Sequence, residues 1–279
     1  MMPFIAIWGV NGFNTTIFSI TISALTSVLV FLSLKELANR KWIQLSLSGI
    51  LWLVALFSLG TVHLWLSISS VVWYFSQICT VFFVALAFTL ALKQYPAWLT
   101  GLSLATAILA RPNVFVIWPA LLFITVQIQA ERHNSFRLAK IFSWAAWAAL
   151  PMFISAGVLL YYNYLRFGNF LDFGYADLYG SIYVMENVKK YGMFNPHFIP
   201  INLKSILPIL PSLASKCEYY FARGNGISML AATPAAVYAF RRFKFSWWLA
   251  GCWSSVIGSL ILLLMYHNNG AVQIAYRYI

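Results

Sequence analysis

Long apolar runs, cut at short intervals by proline, glycine or basic residues, are what most constrains any fold of this chain. A helix that crosses the hydrocarbon core of a bilayer needs about 20 mainly apolar residues. Runs of that kind lie at about 13–34, 43–61, 71–92, 97–110, 113–130, 140–164, 224–240 and 245–266. The chain is 62% hydrophobic and 9% charged, where a soluble domain carries roughly 25% charged residues. A soluble core cannot absorb that much apolar surface, so much of it faces lipid. The expected class is all-α: a polytopic membrane protein with about eight transmembrane helices.

The fourth run is short for a crossing and meets the fifth at "LARPNVF". Proline lacks an N–H and restricts the residue before it, so a helix is expected to break at Arg111 and Pro112. The net charge of +12 comes from scattered Lys and Arg and not from one dense cluster, which argues against nucleic acid. Lys35, Arg40 and Lys41 share one side with Lys93, with Arg132, Arg137 and Lys140, and with Arg241, Arg242 and Lys244. The short opposite connection, "GTVHLWLSISS", has neither Lys nor Arg. Basic loops stay cytoplasmic, so both chain ends and the long loop of about 165–223 are placed outside. Within that loop, "INLKSILPILPSLASKCEYYF" could lie on the membrane surface as a broken amphipathic helix.

Motifs with a fixed chemistry are scarce. No phosphate-binding glycine loop, dinucleotide fingerprint or zinc-binding His pair occurs. No motif assigns a metal, and a divalent ion is left open. Cys79, Cys217 and Cys252 are too far apart to imply a disulfide framework. The start, "MMPFIAIWGVNGFN", lacks a basic region and a small-residue cleavage site. No carboxylate falls within an expected span, which speaks against a proton-relay transporter. Asp172, Asp177, Glu186 and Glu218 all belong to the outer loop. His63 is placed at an outer connection beside Trp65. Arg111, Arg166, Arg223 and Arg277 fall near the outer interface, where arginine pairs with phosphate oxygens or anchors a helix end.

Four stretches carry a family resemblance when taken in order. "LGTVHLWLSISSVVWYFSQICTVFFVALAFTLAL" has a Gly-Thr turn before a "VWY" helix start. "WLTGLSLATAILARPNVFVIWPALL" has a glycine-containing helix ending in Ala-Arg-Pro, then a short apolar helix. "YYNYLRFGNFLDFGY" and "GAVQIAYRYI" complete the series. Together they resemble bacterial GT-C glycosyltransferases, the group related to protein mannosyltransferases and aminoarabinose transferases. The resemblance implies one GT-C-like transmembrane domain over 1–279, present in part, in the bacterial inner membrane. It further implies a polyprenyl-phosphate-linked sugar as donor and transfer in a cavity at the extracytoplasmic face. Arg111, Arg166, Arg223 and Arg277 would contact the lipid phosphate, His63 and Tyr175 would line the sugar cavity, and Asp172 or Asp177 would be the remaining choices for a catalytic carboxylate.

One departure qualifies the resemblance. That class carries its catalytic acid in a first outer loop, and no acidic residue precedes Glu36 here. "MMPFIAIWGVNGFNTTIFSI" resembles the segment just after that loop, and the chain stops after "AYRY", where relatives continue. The expectation is a fragment of a longer product, or a shortened homologue that no longer transfers sugar. The rival class is a non-enzymatic membrane protein, a transporter or a lipid-binding component.

Overall fold

The computed structural model describes residues 9, 14–69, 72–133, 137–172, 186, 188, 190–206, 212–213, 219–220, 237–238 and 245–267. Its helices are α1 (Thr15–Asn39), α2 (Leu47–Leu59), α3 (Val62–Ser69), α4 (Val72–Leu92) and α5 (Ala97–Ala110). After a 3-10 turn at Pro112–Ile117 come α6 (Trp118–His133) and α7 (Leu138–Phe167). A 3-10 turn at Pro196–Phe198 leads into α8 (Ile199–Ile206), and α9 is Trp247–Met265. A two-residue antiparallel pair joins Ser212–Leu213 to Tyr219–Tyr220.

Five of these segments are long and apolar enough to cross a membrane: α1, α4, Pro112–Arg132, α7 and α9. The pair α2 and α3, bent by 47°, makes a sixth if it counts as one span. The coarse expectation of a helical membrane protein therefore holds, with five or six candidate spans among the described residues. The expected span at 224–240 lies outside the described residues except for 237–238. "GTVHLWLSISS", expected to be a connecting loop, is helical from Val62 to Ser69.

The chain divides into two compact units, Met1–Val114 with Ile128–Phe153, and Phe115–Gln127 with Ile154–Ile279. In the first unit, α1 and α4 run parallel. Phe18 stacks on Phe75 near their starts, Ser33 bonds Thr89 at 2.9 Å, and Arg40 reaches the Leu92 carbonyl at 2.7 Å. The α2–α3 pair returns against α1, with Ser27 bonded to Ser58 at 2.7 Å. The α5 helix returns against α4, with the Ser103 hydroxyl donating to the Phe83 carbonyl at 2.8 Å. A methyl on Gly101 would collide with the backbone of Ala148, so α5 and α7 touch main chain to main chain.

In α1 the buried and exposed faces are reversed relative to a soluble bundle. The buried positions of α1 are Ser19, Ser23 and Thr26, while Ile17, Leu25 and Val28 are exposed. Water would penalise that arrangement. Lipid does not, because helices there associate through small residues and hydroxyl bonds.

Helix ends follow local chemistry. Asn14 caps α1 by accepting from Thr16 and Ile17 amides at 3.0 Å each. At the other end of α1, Lys41 takes φ +60°, its N–H bonds Ala38, and the Trp42 N–H bonds Leu37. Gln94 repeats this after α4 with φ +59°, through bonds to Ala91 and, from Tyr95, to Leu90. Both are Schellman ends built on a residue other than glycine. As expected, α5 stops at Arg111, whose extended backbone (φ −148°, ψ 103°) is what a following proline demands.

In the second unit, α9 runs antiparallel to α6. The Trp247 N–H bonds Gln127 Oε1 at 3.0 Å, and the Ala120 N–H bonds Ser255 Oγ at 3.2 Å. Gly251 permits the approach, since an added Cβ would lie 2.5 Å from Phe123 Cβ and 3.0 Å from the Pro119 carbonyl.

Candidate functional site

The end of the first unit opposite its basic residues gathers the starts of α1 and α4, helix α3, and the end of α5. Arg111 occupies the break after α5 and is half-buried. Its guanidinium donates to the Trp73 carbonyl at 3.3 Å, so it ties the end of α5 to the first turn of α4. Ser76 makes a parallel tie, donating to the Ala110 carbonyl at 3.1 Å. Trp65 of α3 packs edge-on against Tyr74, 4.9 Å between ring centres. Through the Trp73 backbone the arginine is tied to the turn of α4 that also carries Tyr74, on which Trp65 of α3 packs.

His63 reaches the same end differently. It lies in the first turn of α3 and is buried, not displayed on a loop. Its Nε2 meets Ser23 Oγ at 2.7 Å and its ring packs on Phe57 at 4.6 Å. That bond joins α1 to α3, so His63 works first as a helix-to-helix link.

The second unit has its own polar end. Arg166, in the last turn of α7, is exposed and stands 5.0 Å over the Phe167 ring. Gly168, at φ +71°, turns the chain back. Asn163 donates to the Phe170 carbonyl at 3.3 Å, and Tyr164 stacks on Phe170 at 4.6 Å. Asp172 closes this turn, half-buried, with its N–H toward the Asn169 carbonyl at 3.4 Å. Arg166 and Asp172 thus share one short turn. Arg223, Arg277, Tyr175 and Asp177 lie outside the described residues.

A further cluster in this unit was not marked by any motif. Asn202 of α8, 2% exposed, donates its amide to three carbonyls at the end of α9: Tyr266 at 2.7 Å, Leu264 at 2.9 Å and Leu263 at 3.4 Å. The Asn195 N–H bonds the Met265 carbonyl, and the His267 N–H bonds the Met193 carbonyl. Tyr191 and His197 stack at 4.0 Å, and Phe194 packs on Tyr266 at 5.3 Å. Burial pushes the His267 imidazole below its ordinary value, and a bond to the Met193 backbone opposes that shift. The only sequence signal for Asn202 was an amide placed among apolar residues of a surface helix.

Among the described residues, no group of three or more His, Cys, Asp or Glu could hold a metal ion. Compared with known proteins, the chain matches no family model, no characterised protein and no solved structure.

Proposed function

We propose that the chain is a membrane glycosyltransferase of GT-C type, or part of one, that uses a polyprenyl-phosphate sugar donor at the extracytoplasmic face of a bacterial inner membrane. In this reading eight crossings put both ends outside, and the basic end of the first unit is cytoplasmic. The observation that carries the proposal is Arg111, a cation seated where one apolar helix breaks and tied through the Trp73 carbonyl to the first turn of another, a turn that also carries Tyr74. A charge near the end of an apolar helix costs free energy in lipid, and such residues mark functional sites by default. Aromatic faces suit sugar rings, and a guanidinium suits phosphate oxygens.

In the reaction, an acceptor hydroxyl attacks the anomeric carbon. The bond from that carbon to the phosphate oxygen breaks, and polyprenyl phosphate leaves with the bonding pair. Arg111 stabilises the charge that develops on this phosphate. The hydroxyl proton passes to a carboxylate base, for which Asp172 and Asp177 are the candidates of this chain. Arg166, Arg223 and Arg277 are this reading's other candidates for phosphate contact, and His63 and Tyr175 are its candidates for sugar contact.

The test is binding of polyprenyl phosphate to the detergent-purified chain, comparing wild type with Arg111→Gln. Loss of a charge-assisted contact should weaken binding by about 1.5–3 kcal/mol. Unchanged affinity in a folded variant would reduce Arg111 to an interface anchor.

A further inference from the structure

The opposite, basic end of the first unit presents a second arrangement that sugar transfer does not use. Three basic segments, 35–41, 93 and 132–140, are far apart in sequence. Two side-chain bonds draw them together. Arg40 donates to the Leu92 carbonyl at 2.7 Å, which brings the end of α1 beside Lys93. The Trp42 indole N–H donates to Glu131 Oε1 at 2.5 Å, which brings the same turn beside Arg132.

These bonds also occupy the acidic residues at this end. Glu36 forms an ion pair with Arg40 at 3.0 Å, and Glu131 holds Trp42. Lys35, Lys41, Lys93, Arg132, Arg137 and Lys140 are all exposed, and among the described residues none of them forms an ion pair. Tyr95 and Trp98, 50% and 48% exposed, stand next to Lys93 in the chain. Aromatic side chains of that kind sit at headgroup depth.

We infer that this rim is a binding site for an anionic phospholipid headgroup, formed when the Trp42–Glu131 and Arg40–Leu92 bonds bring three basic segments into one patch. Orientation in the membrane requires only that basic residues lie on one side. It does not require that they converge, or that the neighbouring carboxylates be engaged. Convergence at the bilayer surface matches a phosphodiester headgroup whose acyl chains lie along the apolar helices below.

The experiment titrates the full chain, in mild detergent, with dioleoyl phosphatidylglycerol or phosphatidylcholine and follows binding by thermophoresis. Phosphatidylglycerol should bind tighter, with affinity falling as salt rises. Each surface cation is worth about fivefold. The triple variant Lys41→Gln, Lys93→Gln, Arg132→Gln should therefore lose about a hundredfold. Trp42→Phe keeps the net charge but removes the bond that holds Arg132 beside the turn after α1, and should lose about fivefold, the share of that one cation. Glu131→Gln keeps an acceptor for the indole while removing a negative charge, and should bind about fivefold tighter, a gain that misfolding cannot imitate. Equal affinity for the two lipids would overturn the inference. So would an unchanged Trp42→Phe, or displacement of the lipid by an equal concentration of inorganic phosphate.

Discussion

Removing the Asn202 amide should release the segment that includes α8 from the end of α9. Helices leave their last carbonyls without partners, and Asn202 supplies donors to three of them. A side-chain amide has two N–H donors, so the contacts at 2.7 Å and 2.9 Å are the substantial ones and that at 3.4 Å is shared. At about 1 kcal/mol net for each bond, plus the cost of carbonyls left buried, Asn202→Ala should weaken docking by about 2–3 kcal/mol. Asn202→Asp should do more at neutral pH, since an ionised carboxylate only accepts hydrogen bonds and would face the negative end of the helix dipole. Its defect should shrink as acid protonates it. Hydrogen exchange at the Asn195 and His267 amides reports docking directly, because their acceptors are Met265 and Met193 across the junction. The Ala variant should speed exchange there by about 30- to 150-fold. Protection unchanged in both variants would refute the idea that Asn202 holds this junction.

Gly101→Ala should destabilise the chain by about 1–3 kcal/mol in thermal unfolding, because the methyl meets the unyielding Ala148 backbone. Gly157→Ala is its control: nothing lies within 4 Å of the added Cβ, so about 0.4–1 kcal/mol of stabilisation is expected; a stable Gly101→Ala would contradict the close packing of α5 and α7. The lowered His267 value predicts a pH response. Below the ordinary value of 6.5, the opened form takes up a proton that the docked form resists. Docking should weaken as pH falls from 6.5 toward the lowered value, and exchange that slowed instead would contradict this. For the eight-crossing topology, single cysteines at Ser135 and Phe243 in a cysteine-free background should resist an impermeant thiol reagent in intact cells, while one at Asn195 reacts. Labelling of the first two would sink that layout.

Features decided by neighbouring residues were the ones legible in the sequence. Pro112 acts on Arg111 directly, so the break after α5 could be read from "ARP". Hydropathy located α7 and α9 to within a few residues. It ended α1 too early, at 34, because the helix runs on to Asn39 through an exposed Lys35 and a Glu36 paired with Arg40. The turns at Lys41 and Gln94 escaped notice because each takes a conformation usually given to glycine. Contacts between distant residues were not readable. Ser23 meets His63 across 40 positions, and Asn202 meets Tyr266 across 64. Nothing local in either residue names its partner, so the link at His63 and the junction at Asn202 emerged only with the fold.

The length of α5 has a consequence for the bilayer itself. Its 14 residues span about 21 Å at 1.5 Å each, against a hydrocarbon core about 30 Å thick. Tyr95 and Trp98, both exposed, hold its first turn at one surface. In the proposed eight-crossing layout α5 is itself a crossing, and the shortfall then falls at Arg111, several ångströms below the level of the opposite headgroups. Adjacent lipid answers such a mismatch by thinning. Headgroups and water then descend into a local dimple over the break, and short-chain lipids deepen it at less cost than long-chain ones. Bilayer thickness thereby becomes a control on how readily an amphiphile's polar group reaches Arg111.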